Sequence, residues 1–495
     1  MFNFHNPDYQ IGRGETAESR LEFPFFAAIM LASAVALLIV HTYFQNIPLT
    51  VALAVSAMIF GLTILRVDIG VFFLVVAMLL SPEIDAGEVG IGNRALNVRY
   101  NDALIIVVFV GVLVKCAFEG RDSLWLPNPI NSGIALYFGV CLLSSMYAYQ
   151  RALPLFDTQE AFFTLLKMAE FYMIFVLAGN AIRSMKQVRQ QTYLFFAVAM
   201  VVAVYAVCSR FFMGIQRVSA PFEQGGTEPN TLGGYLVLVM CIAGGLYTQA
   251  QQTRQKAALL AMIVVAFVPF LFTLSRASYL AFIAGVLALG IVARNYTTIG
   301  AVALVLILSP FIMPDDVKDR VNYTFQRGDG TDVTVAGYET GVQVDKSTGE
   351  RLHVWKKVNY NLHVWPWLGG GVSWDRVLDS QYARVLIETG ILGCVAFVFL
   401  QLQILRTTRE AFRFAGNWFG RGISVGIFAG TIALIIHSLG TVSFIIVRIM
   451  EPYWFLVALA VIVRALAIEE FVRNRQREKQ PASATATAAP KPAAA

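Results

Sequence analysis

A polytopic bundle of membrane-spanning α-helices is the fold class this sequence predicts, and three observations carry it. Of 495 residues, 57% are hydrophobic and 14% charged, with a mean hydropathy of +0.63; a water-soluble chain this apolar would expose large apolar patches. Apolar runs of about 15 to 20 residues recur along the chain, close to the length a helix needs to cross about 30 Å of hydrocarbon. The runs are continuous rather than alternating, which selects helices over a barrel.

In chain order the spans are expected at 23–40, 47–65, 69–80, 103–117, 129–147, 161–178, 192–207, 231–248, 257–274, 277–292, 297–311, 382–405, 422–441 and 452–468. The third is short, so the expected count is about 12–14. Residues 1–22 are polar and lack the basic, apolar and cleavage-site order of a signal peptide, so 23–40 reads as a retained span. Helices one to eleven fill 23–311, a single large loop fills 312–381, and the last three helices fill 382–468. The tail, 469–495, ends in a Pro/Ala/Ser/Thr run of low complexity and is expected to be disordered.

Threading with the N-terminus inside puts Arg66, Lys115, Arg121, Arg183, Lys186, Arg189, Arg254, Lys256, Arg294, Arg406, Arg409, Arg413 and Arg421 in cytoplasmic loops, with Arg473, Arg475, Arg477 and Lys479 in a cytoplasmic tail. That is the basic bias cytoplasmic loops carry, and the opposite phase would put the 183–189 and 406–421 clusters outside. The net charge of +6 is therefore topological and not a nucleic-acid signature. The five cysteines lie in or beside apolar runs without CxxC or Cys/His spacing, which supports neither a disulfide framework nor a zinc site.

With that phase 312–381 is external. Its first half is turn-rich and suits a hairpin. Its second half has Leu352, Trp355 and Val358 at helical spacing, as in an amphipathic helix lying on the membrane face. Several arginines gather on the same side: Arg210, Arg217, Arg276, Arg351, Arg376 and Arg448. A guanidinium grips phosphate oxygens in a planar fork and keeps its proton, so an outward cluster suits a lipid-linked phosphate or diphosphate. Each arginine taken alone reads first as a snorkelling interfacial residue. Arg276 stands apart, because it follows Ser275 in a tight turn between two spans.

Asp379 and Tyr382 are three apart at the start of a span and share a helix face; Asp379 reads as a helix cap or as a base. Glu388, two turns deeper, must be protonated, paired with an arginine, or functional. Gly390 and Gly393 read as close-packing positions. Lys167 and Glu170, at i and i+3, read as a structural ion pair ahead of a proton relay, and His437 as a packing residue ahead of an acid or base.

Taken in order, Arg217, Glu228-Pro229-Asn230 opening a span, Ser275-Arg276, Arg351-x3-Trp355, Pro366-Trp-Leu-Gly369-Gly-Gly371, Asp379-Ser-x-Tyr382 and Glu388-Thr-Gly390-x2-Gly393 resemble the O-antigen ligase and Wzy-type polymerase superfamily of bacterial envelope polysaccharide enzymes. The resemblance implies a multi-pass protein of the bacterial inner membrane, with both termini cytoplasmic and one large periplasmic loop. It also implies a metal-independent, cofactor-free, inverting glycosyltransferase that moves glycan from an undecaprenyl-diphosphate carrier to a sugar hydroxyl. Carried onto this chain, Arg217 and Arg276 hold the donor diphosphate, with Arg351 assisting. Arg210, Glu228, Asn230, Trp355, Tyr382 and Glu388 complete the substrate-binding set, and Tyr382, Trp355, Trp365, Trp367 and Trp374 offer faces on which sugars stack.

Many ligases carry a His-Asn type pair where this chain has Asp379-Ser380; an aspartate there can take the acceptor proton, and the change favours a polymerase over a ligase. The implied partners are the lipid-linked glycan, membrane lipid, a chain-length co-polymerase and a flippase. A transporter using Lys167, Glu170 and His437 is the reading from another class, but it predicts midplane polar residues and repeat symmetry, neither of which the sequence displays. A non-catalytic scaffold leaves the external arginines unexplained.

Overall fold

The computed structural model describes residues 49–81, 83–84, 98–118, 127–153, 155–221, 228–294, 331–335, 338–344, 346–374 and 380–479. Expectations for the 23–40 and 297–311 spans, for Arg376 and Asp379 and for the extreme tail fall outside these residues. Among the described residues thirteen helices form: α1 Leu49–Leu65, α2 Val67–Leu80, α3 Tyr100–Phe118, α4 Ile130–Gln150, α5 Thr158–Ala181, α6 Met185–Phe211, α7 Pro229–Gln249, α8 Thr253–Leu271, α9 Arg276–Val292, α10 Lys346–Val364, α11 Gln381–Phe414, α12 Trp418–His437 and α13 Val447–Lys479. Two short antiparallel hairpins accompany them, β1 Glu83–Ile84 with β2 Val98–Arg99, and β3 Thr331–Val335 with β4 Tyr338–Val344. The second falls in the half of the large loop where turn residues predict one.

Eight of these helices are long and apolar enough to cross a membrane, and α2 and α9 are shorter apolar helices. The protein is a polytopic helical membrane protein. Backbone groups at helix ends inside such a bundle need partners, and side chains supply several. Asp157 accepts from the amides of Gln159 and Glu160 ahead of α5, Ser184 from Gln187 ahead of α6, and Asn417 from Gly420 ahead of α12. The Ser184 cap is why α6 begins at Met185, a full turn and more before the apolar run at 192. The last helix likewise outruns its apolar segment to Lys479, so residues 469–479 are helical rather than disordered. An i,i+4 Arg473–Glu469 pair (2.6 Å) and the Arg475 guanidinium stacked on Phe471 (4.9 Å) line that extension.

The core is the α7–α12 pair. In α7 83% of an 18-residue window is buried, against 22% in α8, which lies on the rim. Gly422, Gly426 and Gly430 recur every fourth residue along α12 and face α7. A Cβ on Gly426 would lie 2.8 Å from the Ile242 Cα, one on Gly422 2.7 Å from the Leu246 Cα, and one on Gly245 2.5 Å from the Gly422 carbonyl oxygen. Small residues in this spacing let helix backbones touch, which replaces the hydrophobic drive that lipid cannot supply. Gly426→Leu is expected to push the pair apart and destabilise the bundle by about 1–3 kcal/mol or more, read as a lower melting temperature in detergent.

The helix ends sort into two faces. One carries Arg66, Lys115, Arg183, Arg254, Arg409 and Arg421, and we call it the basic end. At the other, the mouth end, α3, α5, α7, α9, α11 and α13 begin and α2, α4, α6, α8 and α12 finish. This face corresponds to the external side of the sequence threading.

Candidate active site

Two segments meet at the mouth end around Phe272: the stretch that leaves α6 and the turn between α8 and α9. The Val218 amide, next to Arg217, donates to the Phe272 carbonyl (3.1 Å). The Arg210 guanidinium, from the last turn of α6, lies over the Phe272 ring at 4.8 Å. Arg276 follows as the first residue of α9, whose cap is Ser275, its Oγ accepting from the Ser278 amide (3.3 Å). The segment carrying Arg210 and Arg217 and the helix start carrying Arg276 are thus brought to one turn. The dipole of α9, which Arg276 opens, favours an anion there as the arginines do.

Arg448, expected among the outward arginines, is instead buried, 2% exposed. Its Nη1 donates to the carbonyls of Pro221 (2.7 Å) and Leu79 (3.1 Å). A guanidinium with several donors in a fixed plane suits such a clamp between backbone segments. Glu228 stands exposed before α7 and accepts from the Thr231 hydroxyl (3.0 Å). Asn230, half-buried in the first turn of α7, shares a face with Gly233 and Gly234. Those glycines make room for a buried polar chain: Ser278 Oγ meets His437 Nε2 at 3.0 Å, and His437 Nδ1 meets Ser443 Oγ at 2.7 Å and Thr441 Oγ1 at 3.1 Å.

The expected acceptor side is built differently from its sequence outline. α11 breaks at Gly390 (φ 64°, ψ −161°), about 13 Å along from Gln381 at 1.5 Å per residue. The segment Pro366–Gly371 enters the break. Gly370 and Gly371 donate to the carbonyls of Ile387 and Glu388 (both 2.9 Å), while Ile391 and Leu392 donate back to Pro366 (2.9 Å) and Trp367 (3.3 Å). The backbone groups freed by the break are thereby paired within protein, as non-helical chain in a membrane bundle must be. Ser144 on α4 donates to the Leu368 carbonyl of the inserted segment (2.5 Å) and to the Glu388 carbonyl (2.6 Å), and Thr164 on α5 meets the Ser373 hydroxyl (2.7 Å) just after the segment.

Glu388 lies against this segment. It is 6% exposed, accepts from the Ser373 amide (2.9 Å) and pairs with Arg384 (2.8 Å) one turn before it. Of the three readings for Glu388, pairing with an arginine is the one found, and the residue braces the inserted loop instead of lining an open cavity. Gly390 likewise does more than allow close helix packing. The Tyr382 hydroxyl is taken up by the Ile435 carbonyl (2.6 Å). The cap position of α11 falls on Ser380, one residue past Asp379. On α10, which contains Arg351, the inward stripe is Val354, Val358 and Asn361, while Trp355 is 46% exposed. Of the four loop tryptophans, Trp374 is buried against Trp365 (rings 5.6 Å apart), and Trp355 and Trp367 face outward.

A second charged group sits deeper. Lys167 pairs with Asp102 and, at 3.0 Å, with Glu170, and Asn101 donates to the buried Glu451 (2.8 Å). The Lys167–Glu170 pair expected from spacing is present, and Asp102 and Glu451 extend it. Among the described residues no group of three His, Cys, Asp or Glu side chains could hold a metal ion. A groove between α4, α5 and α13, lined by Asn128, Asn131 and Asn180, opens at the basic end and carries no charged side chain.

No protein-family model matches this sequence, and no curated protein does. The site must be read from its own chemistry.

The His437 chain, the Arg448 clamp and the inserted loop are the features residue-by-residue reading passes over. Each had a signal: Ser275-x2-Ser278 at a helix start, an arginine four residues before Pro452 in an apolar run, and the i,i+4 pair Arg384–Glu388 next to a glycine.

Proposed function

We propose that this protein is a membrane glycosyltransferase of the bacterial inner membrane that polymerises undecaprenyl-diphosphate-linked repeat units into an envelope polysaccharide on the periplasmic face. The observation that carries the reading is the Val218–Phe272 bond, which draws the Arg217 segment to the turn that launches Arg276, with Arg210 stacked on the same phenylalanine. Three guanidinium-bearing residues around the turn that opens α9 form a place for a diphosphate at the membrane face where a lipid-linked donor presents it.

In the reaction a sugar hydroxyl of the acceptor attacks the anomeric carbon from the face opposite the diphosphate. The new C–O bond forms as the bond to the diphosphate breaks, so the configuration inverts. The leaving diphosphate carries away the electron pair, and Arg217 and Arg276 stabilise the charge growing on it. The acceptor proton passes to a carboxylate, for which Asp379 is the candidate.

Purified protein given lipid-linked repeat units alone is expected to lengthen the glycan. Arg276→Ala and Arg217→Ala should each lower turnover by about 10²–10³, the usual effect of removing one donor to a developing anion, with membrane insertion intact. Retained turnover in both variants removes the arginines from the site. Transfer only after lipid A core is supplied would make the protein a ligase working through the same donor site.

A further inference from the structure

The turn from α12 to α13, residues 437–448, supplies no candidate substrate-binding residue, yet three segments that do are fastened to it. His437 reaches the start of α9 through Ser278, two residues after Arg276 (3.0 Å). The Gln381 amide, at the start of α11, donates to the carbonyls of Ser438 (3.1 Å) and Thr441 (3.2 Å), and its side-chain oxygen accepts from the Phe444 amide (3.2 Å). Arg448 holds Pro221, four residues after Arg217 (2.7 Å).

We infer that this turn is the positioning element of the site: through His437, Gln381 and Arg448 it sets the spacing between the segments bearing Arg276 and Arg217 and the start of α11. The inference rests on the glycosyl-transfer reading for its consequence in turnover, and on the contacts alone for its consequence in diphosphate binding.

The His437 link is built, not incidental. His437, Ser278 and Ser443 are fully buried. The Ser278 hydroxyl donates to Ser275 Oγ (2.8 Å), so its oxygen accepts from His437 Nε2–H, and Nδ1 accepts from the Ser443 hydroxyl. Imidazole can donate on one edge and accept on the other. Space for this chain comes from two adjacent glycines of α7: a Cβ on Gly233 would lie 2.2 Å from Ser278 Oγ, and one on Gly234 2.9 Å from His437 Cε1. A wholly apolar side chain here would take the imidazole partner from Ser278, Ser443 and Thr441, leaving Ser278 tied only to Ser275 and Ser443 and Thr441 only to each other and the 437 carbonyl, so none of these bonds would join α9 to the turn.

The test titrates the full-length protein in detergent with geranylgeranyl diphosphate and follows polymerisation of lipid-linked repeat units in parallel. His437→Leu is expected to weaken diphosphate binding about tenfold or more, since a shift of about 1 Å in a charge-stabilising group is costly. His437→Gln, whose amide nitrogen reaches the Nε2 position and still donates to Ser278, should recover most of the affinity. Ser278→Ala, a small change expected to fold, should fall between them. A purely structural role would reduce the folded fraction and leave the dissociation constant of that fraction unchanged, with no rescue by Gln. Wild-type affinity in both His437→Leu and Ser278→Ala overturns the positioning role, and the glycosyltransferase reading stands if wild-type protein polymerises. Wild-type binding with weakened variants but no polymerisation or transfer would keep the positioning role and end that reading. Absence of any diphosphate binding by wild-type protein ends both.

Discussion

Gly390→Ala is expected to lower the melting temperature in detergent steeply and to open the 366–371 segment to protease. At φ 64° and ψ −161° the residue occupies a region that is essentially glycine's alone, and holding a side chain there costs about 1–3 kcal/mol. The added carbon would also lie 2.5 Å from the Trp367 carbonyl carbon and 2.8 Å from the Leu368 nitrogen. These are backbone atoms, which cannot rotate aside as a side-chain tip can. Relief comes only by withdrawing the inserted segment, and four backbone hydrogen bonds leave with it. At about 0.5–1.5 kcal/mol each the loss is several kcal/mol. Gly139→Ala is the control, because nothing lies within 4 Å of its would-be Cβ. Alanine in a helix interior is expected to be neutral there or to stabilise by up to about 1 kcal/mol. Identical melting of wild type and Gly390→Ala would show that the segment does not occupy the break.

Lys167→Met is expected to destabilise by about 3 kcal/mol, toward the low end for breaking a buried ion pair because the lysine side chain is 26% exposed. The substitution keeps most of the apolar stem and removes the ammonium that reaches both Asp102 and Glu170, whose side chains are 11% and 10% exposed. Two carboxylates then repel in a poorly solvated place. Adding Asp102→Asn or Glu170→Gln should recover part of the loss, so that a double-mutant cycle in thermal unfolding gives a coupling well above zero. Additive losses would show the three groups to be energetically separate. Unchanged stability with lost turnover would move the cluster from the scaffold to the chemistry.

Much of the bundle was legible from the sequence because the bilayer imposes it: an apolar run of span length has few alternatives to a helix, and every expected span within the described residues is one. Ends were less legible, since they depend on caps and on polar turns that project past the apolar run, as at Ser184 and beyond Ile468. Turn residues did locate a hairpin in the first half of the large loop, found at 331–344, and helical spacing over 351–360 a helix, which runs longer, Lys346–Val364. Trp355 shows where such reading stops, because helical spacing placed it with Val358 and the fold buries Val354 and Val358 instead. Convergence was not legible at all. Nothing in the residues around 218 says that an amide there will meet Phe272, and Arg448 looks in sequence like any interfacial arginine until two carbonyls from other segments are found on it. Glu388 is the intermediate case: its partner Arg384 stands one helical turn away in the sequence, but the Ser373 amide that completes its surroundings comes from a loop whose path only the fold supplies.

The position of the Arg448 clamp bears on how the protein is made. Membrane helices are delivered in order from the N-terminal side, so Arg217 and Arg276 enter the bilayer while the turn that fastens their segments is still unsynthesised. A nascent bundle that ends before His437 already holds these two arginines without the contacts that space their segments. The spacing of these segments is thereby tied to arrival of α13, and under the proposed function a chain stalled or clipped ahead of it would be inserted yet idle.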